Sequence, residues 1–240
     1  MQAELATMAP SGAAELVRNA AALIFDVDGT LAETEELHRR AFNHAFGRQG
    51  LDWHWDRAAY KELLRVTGGK ERIRAFHTRQ WIAPPLSDAD IAELHRIKTA
   101  QYAELVETGC CALRPGVADL LTAAKARGQR LAIATTTSHG NIDALLSRAL
   151  GTRWAADFDA IVAGDDVRHK KPAPDVYLEV LARLKLAPSD CVAIEDSANG
   201  LIAAARADIP VLITRSIFFR DDDFSAARMV LDDLSELAAK

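Results

Sequence analysis

Apolar and polar positions follow two different rhythms along this chain. Ala22-Leu23-Ile24-Phe25 is a block of consecutive apolar residues, the pattern of a strand buried on both faces of a parallel sheet. It runs directly into Asp26-Val27-Asp28-Gly29-Thr30-Leu31. The period then becomes helical. Leu37, Ala41, Phe42, Ala45 and Phe46 share one side, and Glu35, Glu36, Arg39 and Arg40 the other. Thr34 stands where a helix cap belongs, and Gly47 or Gly50 where the helix would stop. No strand pattern follows until about Thr108. Instead the spacing predicts short helices over 56–65 and 70–79, a break at Pro84-Pro85, and a longer helix capped by Ser87 that carries Ile91, Leu94, Ile97, Tyr102 and Leu105. Beyond it, strand-like runs at 130–134, 158–163, 191–194 and 211–213 alternate with helical stretches after Pro115-Gly116, through Leu145-Leu146, after Pro174 and over 201–207. This alternation predicts an α/β protein built on a doubly wound parallel sheet. Residues 21–35 and 108–240 form the core, and 36–107 an inserted all-helical cap domain. Residues 1–20 read as an Ala-rich extension, disordered or partly helical.

Composition narrows the function classes. With 49% hydrophobic and 26% charged residues, the chain has an ordinary globular make-up. A net charge of −5 argues against general affinity for nucleic acid. No apolar run is long enough to span a membrane, and residues 1–20 lack the basic start and apolar block of a signal peptide. Cys110, Cys111 and Cys191 form no CxxC pair, as expected of reduced thiols in a cytoplasmic protein. A monomer without membrane or nucleic-acid partners is expected. Trp53 and Trp55 read as core or rim of the helical segment.

The candidate chemistry collects at strand ends. The first strand delivers Asp26 and Asp28, the second Thr135, and a later one Glu195 and Asp196. Between the last two lies Lys170-Lys171-Pro172-Ala173-Pro174-Asp175. In a parallel sheet these ends share one edge, where α/β sheets bind ligands. Four carboxylates, a hydroxyl and a lysine suit Mg²⁺ together with a phosphoryl group: the carboxylates hold the cation, and hydroxyl and ammonium bind phosphate oxygens.

The ordered set Asp26-Val27-Asp28-Gly29-Thr30, Thr135, Lys171-Pro172-Ala173-Pro174-Asp175 and Glu195-Asp196-Ser197-x-x-Gly200 resembles the haloacid dehalogenase superfamily. The helical insertion resembles the cap of its β-phosphoglucomutase-like group. The stretch from Asp28 to Arg39, with Thr67-Gly68-Gly69-Lys70-Glu71-Arg72, is similar to the CbbY-type phosphatases, which remove phosphate from xylulose 1,5-bisphosphate, an inhibitor of Rubisco. The resemblance implies Asp26 as nucleophile and Asp28 as acid/base. It implies Mg²⁺ held by Asp26, Asp28 (through its carbonyl) and Asp196, with Glu195 in support. Thr135 and Lys171 would bind the transferring phosphoryl group. Glu33 would contact substrate hydroxyls, His38 would orient Asp28, and Lys70 or Arg72 would hold a second phosphate near the start of a helix. The implied partner is a small sugar phosphate. Thr30, typical of the phosphatases, favours hydrolysis over a β-phosphoglucomutase-like transfer, and Asp28 disfavours dehalogenation. A non-catalytic sugar-phosphate-binding protein is the competing class, and its mark, loss of the nucleophile or of a metal ligand, is missing here.

Overall fold

The computed structural model describes residues 10–80, 86–109 and 111–237. In chain order its elements are α1 (Pro10–Asn19), β1 (Ala22–Phe25), α2 (Glu35–Arg48), α3 (Arg57–Leu63), α4 (Gly69–Arg79), α5 (Asp88–Glu107), α6 (Val117–Ala126), β2 (Arg130–Ala134), α7 (His139–Leu150), β3 (Ala160–Val162), α8 (Asp175–Leu184), β4 (Cys191–Glu195), α9 (Ala198–Arg206), β5 (Val211–Thr214) and β6 (Met229–Leu231). The strands form one parallel sheet in the order β3-β2-β1-β4-β5-β6. From β1 the sheet grows outward through β2 and β3, then resumes on the other side of β1 with β4. That reversal is where such sheets open a crevice. Phe25 lies level with Ile133 on β2 and Ile194 on β4, so Asp26, Ala134 and Glu195 emerge side by side at one edge.

The strands are apolar on both faces because both faces are covered. Leu23, Phe25, Leu131, Ile133, Val192 and Ile194 pack with residues of α1, α6 and α7. Ala22, Ile24, Ala132, Ala134 and Ala193 pack with Val176 and Val180 of α8 and Leu201 of α9. Between β1 and α6 the helices α2 to α5 build a separate apolar cluster around Phe42, Phe46, Trp55, Tyr60, Ile73, Ile91 and Leu94. Trp55 is fully buried, with its ring centroid 4.8 Å from those of both Phe42 and Phe46. Trp53 sits at the border, edge-on to Phe46 and Phe76. Such aromatic pairs add about 0.5–1.5 kcal/mol each beyond the area they bury. Ser87 caps α5 in a reciprocal capping box with Asp90.

Of the two readings of the Ala-rich extension, the helical one holds for residues 10–19, which form α1, with Ala13 and Val17 buried in the core. The end of this helix is fastened by a tertiary contact: Gln129 donates to the carbonyls of Val17 and Ala20. Residues 1–9 and the Pro84-Pro85 break lie outside the described residues, as does Cys110. β6, three residues long, was too short to show a period. Thr34 precedes α2 but makes no side-chain cap bond; its hydroxyl is used elsewhere. Among the described residues no helix is long and apolar enough to cross a membrane.

Candidate active site

At the carboxyl edge of β1, β2 and β4 lies a cavity walled on the far side by α2, α4 and α5. Asp26, Asp28, Thr135, Lys171 and Asp196 line it from below, and His38, Arg72, His95 and Lys98 from above.

Asp26 leaves the end of β1 and accepts, through Oδ1, a hydrogen bond from Lys171 Nζ at 2.7 Å. The same ammonium reaches Glu195 Oε1 at 2.6 Å and the carbonyl of Ala134 at 2.8 Å. One buried cation thus serves two buried carboxylates. Burial alone would push the Lys171 ammonium down; Asp26 and Glu195 together raise it instead. Glu195 Oε1 also accepts from the Tyr177 hydroxyl on α8, a residue the sequence reading did not single out. Gly200, at the start of α9, makes room for this carboxylate: a Cβ there would sit 2.0 Å from Glu195 Oε2. The interval from Glu195 to Gly200 in the sequence motif is therefore a packing requirement.

Asp26, Glu195 and Asp196 place ligand oxygens within 4.8 Å of one another, all buried. Asp196 Oδ2 has no hydrogen-bond partner although it is shut off from solvent. Burial, then the neighbouring Asp26 and Glu195 charges, holds the Asp196 carboxyl well above the usual range. Burial likewise pushes Asp26 up to about 8, against the pull of Lys171. Three carboxylates against one ammonium leave excess negative charge, which protons or a cation must offset. An orphaned carboxylate oxygen beside two others fits a hard divalent cation. Gly29, at φ +85°, keeps the approach open, because a Cβ there would lie 1.9 Å from Asp196 Oδ2.

Asp28 belongs to a different network. Its Oδ1 accepts from the Thr34 hydroxyl at 2.6 Å and pairs with His38 Nε2 at 2.9 Å. His38 Nδ1 in turn lies 2.7 Å from Lys98 Nζ on α5, and the imidazole stacks on Tyr102. With Lys98 as ammonium, Nδ1 accepts and Nε2–H donates to Asp28. Burial would raise the Asp28 carboxyl, but His38, Thr34 and Lys98 outweigh it and hold it below the usual range. Burial brings Lys98 down to about 7. The carboxylate side chain of Asp28 is thus committed to α2 and α5 and stands apart from the acidic triad. Thr34, expected as a helix cap, is a ligand of Asp28. Lys98 was missed because a lysine on the apolar stripe of a helix reads as a snorkelling side chain.

Thr135 is buried at the end of β2, with Oγ1 accepting from Thr137 N. The two candidate cations of α4 part company. Arg72 is buried and lines the cavity, donating to the carbonyls of Leu63 and Val66 and to the Tyr60 hydroxyl, which itself donates to Glu35. Lys70 is half exposed and pairs with Asp165 at 3.2 Å. It lines a small adjoining recess with Gly69, His95, Ser138 and Lys170, while Lys170 Nζ donates to the carbonyls of Gly164 and Val167. His95, pushed down to about 3 by burial and by Lys98 and Lys70, is neutral between the two spaces. Glu33 does not line the cavity. Its carboxylate accepts from Ile217 N at 3.2 and 3.3 Å and faces Arg114. Arg114 in turn ties the carbonyls of Gly29, Arg215 and Asp232 together. Glu33, expected to contact substrate hydroxyls, is thus placed at the exit from β1, bracing the loop at Ile217.

Comparison with known proteins bears on this arrangement. Residues 20–208 match the profile of the haloacid dehalogenase-like hydrolases. The protein CbbY of Rhodobacter capsulatus is 53% identical over 219 residues, covering 91% of this chain and 96% of that one. The crystal structure of CbbY from Rhodobacter sphaeroides with phosphate superposes with a TM-score of 0.86 at 49% identity, over 91% of this chain and 96% of that one. A mutant of that CbbY, solved with xylulose 1,5-bisphosphate, has the same TM-score of 0.86 at 48% identity, over 90% and 96%. A β-phosphoglucomutase from Clostridium difficile shares the fold, with a TM-score of 0.76 at 21% identity over 91% and 93%.

Proposed function

The chain belongs to the haloacid dehalogenase-like hydrolases and is a phosphatase, and on that premise we propose that it removes phosphate from xylulose 1,5-bisphosphate, a Rubisco inhibitor, in a Mg²⁺-dependent reaction through an aspartyl phosphate. The observation that carries this reading is the separation of two carboxylates in one cavity. Asp26 is held by Lys171 beside Asp196, and Asp28 by Thr34 and His38. We read residues 36–107 as the cap domain and 21–35 with 108–240 as the core.

Asp26 is the nucleophile. Its carboxylate attacks phosphorus, the sugar oxygen departs with a proton from Asp28, and Asp28 then takes a proton from the water that hydrolyses the acyl phosphate. Asp26, Asp196 and the backbone carbonyl of Asp28, with Glu195 in support, are the residues that would hold Mg²⁺. When bound, the cation neutralises the carboxylates and the charge developing on the phosphoryl oxygens. Lys171 and Thr135 bind those oxygens. Glu195 and Tyr177 fix the ammonium of Lys171 in place. Arg72 lines the cavity over the substrate, and Lys70, in the recess beside Ser138, is available to a second phosphate.

Asp28 needs a proton for the first step, and the His38–Lys98 chain is its store. As pH rises through about 7, Lys98 gives up its proton and that store is depleted. The expected kcat therefore falls above pH 7, and Lys98→Met lowers kcat and removes this limb; a kcat–pH profile of both proteins checks it.

The reading is tested by phosphate release over matched sugar monophosphates and bisphosphates, with ribulose 1,5-bisphosphate included. A preference of a hundredfold for xylulose 1,5-bisphosphate, about 2.7 kcal/mol of discrimination, is the expected result. Flat activity across the panel would remove the dedicated substrate and leave the phosphatase. Lys70→Ala should then weaken bisphosphates about tenfold more than monophosphates, as the loss of one charge-assisted contact implies; equal losses would take the second phosphate away from this recess.

A further inference from the structure

The apolar cluster of the helical segment has one buried member that does not come from that segment. Among the described residues, Phe42, Ala45, Phe46, Trp55, Tyr60, Leu63, Leu64, Ile73, Ile91 and Leu94 all lie between α2 and α5; Phe218 lies on the loop that follows β5. Its ring meets Tyr60 edge-on at 5.9 Å, and the Arg57 guanidinium sits 5.2 Å above it. Phe218 is 5% exposed. Its neighbour Phe219 packs on the same cluster and lines the active-site cavity.

The loop is well fastened to the core below. Glu33 accepts from Ile217 N, Arg114 donates to the carbonyl of Arg215, and Asp222 accepts from Ala198 N at the start of α9. Above, Lys61 of α3 pairs with Asp221 at 2.9 Å. That pair is exposed and contributes little by itself. The buried ring is the stronger tie, since burying an aromatic side chain contributes more than a surface ion pair. Tyr60, against which the ring packs, also donates to Glu35 and accepts from Arg72, and both of those line the cavity.

We propose that Phe218 is a positioning residue for phosphate transfer: a side chain carried by the core that seats in the apolar cluster of the cap and so holds His38, Lys98 and Arg72 in register over Asp26 and Asp28. The proposal rests on the phosphatase reading above and extends it. Asp28 is fastened to α2 and α5 while Asp26 belongs to the sheet edge, so the two groups act on one phosphorus only while cap and core are seated together. Glu33, which does not reach the cavity, acts on the same step by holding the base of the loop at Ile217.

The test pairs kinetics with a measure of seating that needs no substrate. Cysteines replacing Lys61 and Asp221, neither of which belongs to the catalytic machinery, are joined by a short bifunctional maleimide, with each single substitution giving the background from native thiols. In this background Phe218→Ala should slow cross-linking at least tenfold. In the otherwise native chain it should lower kcat/KM on the best phosphate ester by a similar factor. Phe218→Leu, which keeps an apolar anchor, should recover part of both. A purely structural role would lower the melting temperature but leave the cross-linking rate of the folded protein unchanged. Native kcat/KM in Phe218→Ala, or lost activity at an unchanged cross-linking rate, overturns the proposal. If Phe218→Ala does not fold, Phe218→Leu and Phe218→Val decide: a graded, parallel decline in both readouts supports it, and native values in both overturn it. Should the unmodified chain release no phosphate from any ester, the functional reading fails, while the cross-linking rates still report whether Phe218 seats the cap.

Discussion

Replacing Asp26 with Asn is expected to reduce phosphate release by about 10⁴-fold or more, the scale on which enzymes lose rate when a covalent nucleophile is removed. The fold should survive. Asp26 stands at the end of β1 with one oxygen on Lys171, and an amide oxygen can accept the same hydrogen bond at nearly the same volume. What the amide cannot do is form an acyl phosphate by direct attack. Removing one of the carboxylates that crowd Lys171 and Asp196 also relieves like-charge repulsion, so the melting temperature should hold or rise in metal-free buffer. The pair of measurements is single-turnover phosphate release and a thermal melt. Hydrolysis within about tenfold of the native rate would remove the covalent assignment, and a collapsed melt would instead assign Asp26 a structural role.

The second large effect concerns the cation. Asp26 and Asp196 have carboxyls raised by burial and by neighbouring carboxylates, Glu195 beside both, Asp26 to about 8. In the unfolded chain both would titrate near the ordinary aspartate value of about 3.9. Groups raised in the folded state contribute stability that is present below the unfolded value and is lost as pH rises through the folded one. The metal-free protein should therefore lose stability steadily between about pH 4 and pH 8, as the buried carboxylates are forced to ionise without a counter-charge. Mg²⁺ should reverse this trend by supplying that charge. Its binding at pH 7 should release protons, which calorimetry in buffers of different ionisation enthalpy would register. At a hundred times its Kd, the cation should add about 2.7 kcal/mol of stability. Chelation should lower turnover by about 10³-fold or more, as loss of the principal charge stabilisation at phosphorus implies. Turnover unchanged by chelation, or a melting temperature indifferent to pH and Mg²⁺, would separate the acidic triad from metal binding.

The site that makes these predictions was readable in part from the chain alone. Apolar runs ending in carboxylates identify strand ends, because a strand buried on both faces has no other place for a charge. Parallel alternation then brings those ends to one edge. Asp26, Thr135, Lys171, Glu195 and Asp196 do meet there, and β1, β2 and β4 supply the edge. Helices α2 to α5 were equally visible, since the period there never shortens to that of a strand.

Other features depend on contacts between residues far apart in sequence, which periodicity does not encode. The docking of α1 rests on its apolar Ala13–Val17 face meeting the core and on Gln129, a partner more than a hundred residues away in sequence. Thr34 has the local signature of a helix cap, yet its hydroxyl goes to Asp28 because the turn at Asp28-Gly29 brings that carboxylate within 2.6 Å. Glu33, one residue earlier, faces the loop after β5 instead of the cavity. Lys98 and Tyr177 lie on the inward stripes of their helices, where the chain alone shows a lysine and an aromatic and only packing shows a partner for His38 and an anchor for Glu195. Phe218 follows a strand in sequence but is buried in a cluster built from residues 42–94. By itself the sequence determined which chemical groups reach the sheet edge, because hydrophobic burial leaves charges no other exit. Which of those groups pair, which stand apart, and what seats the helices above them was decided by the tertiary structure, because a hydrogen bond or a buried ring selects its partner by distance in space and not by spacing along the chain.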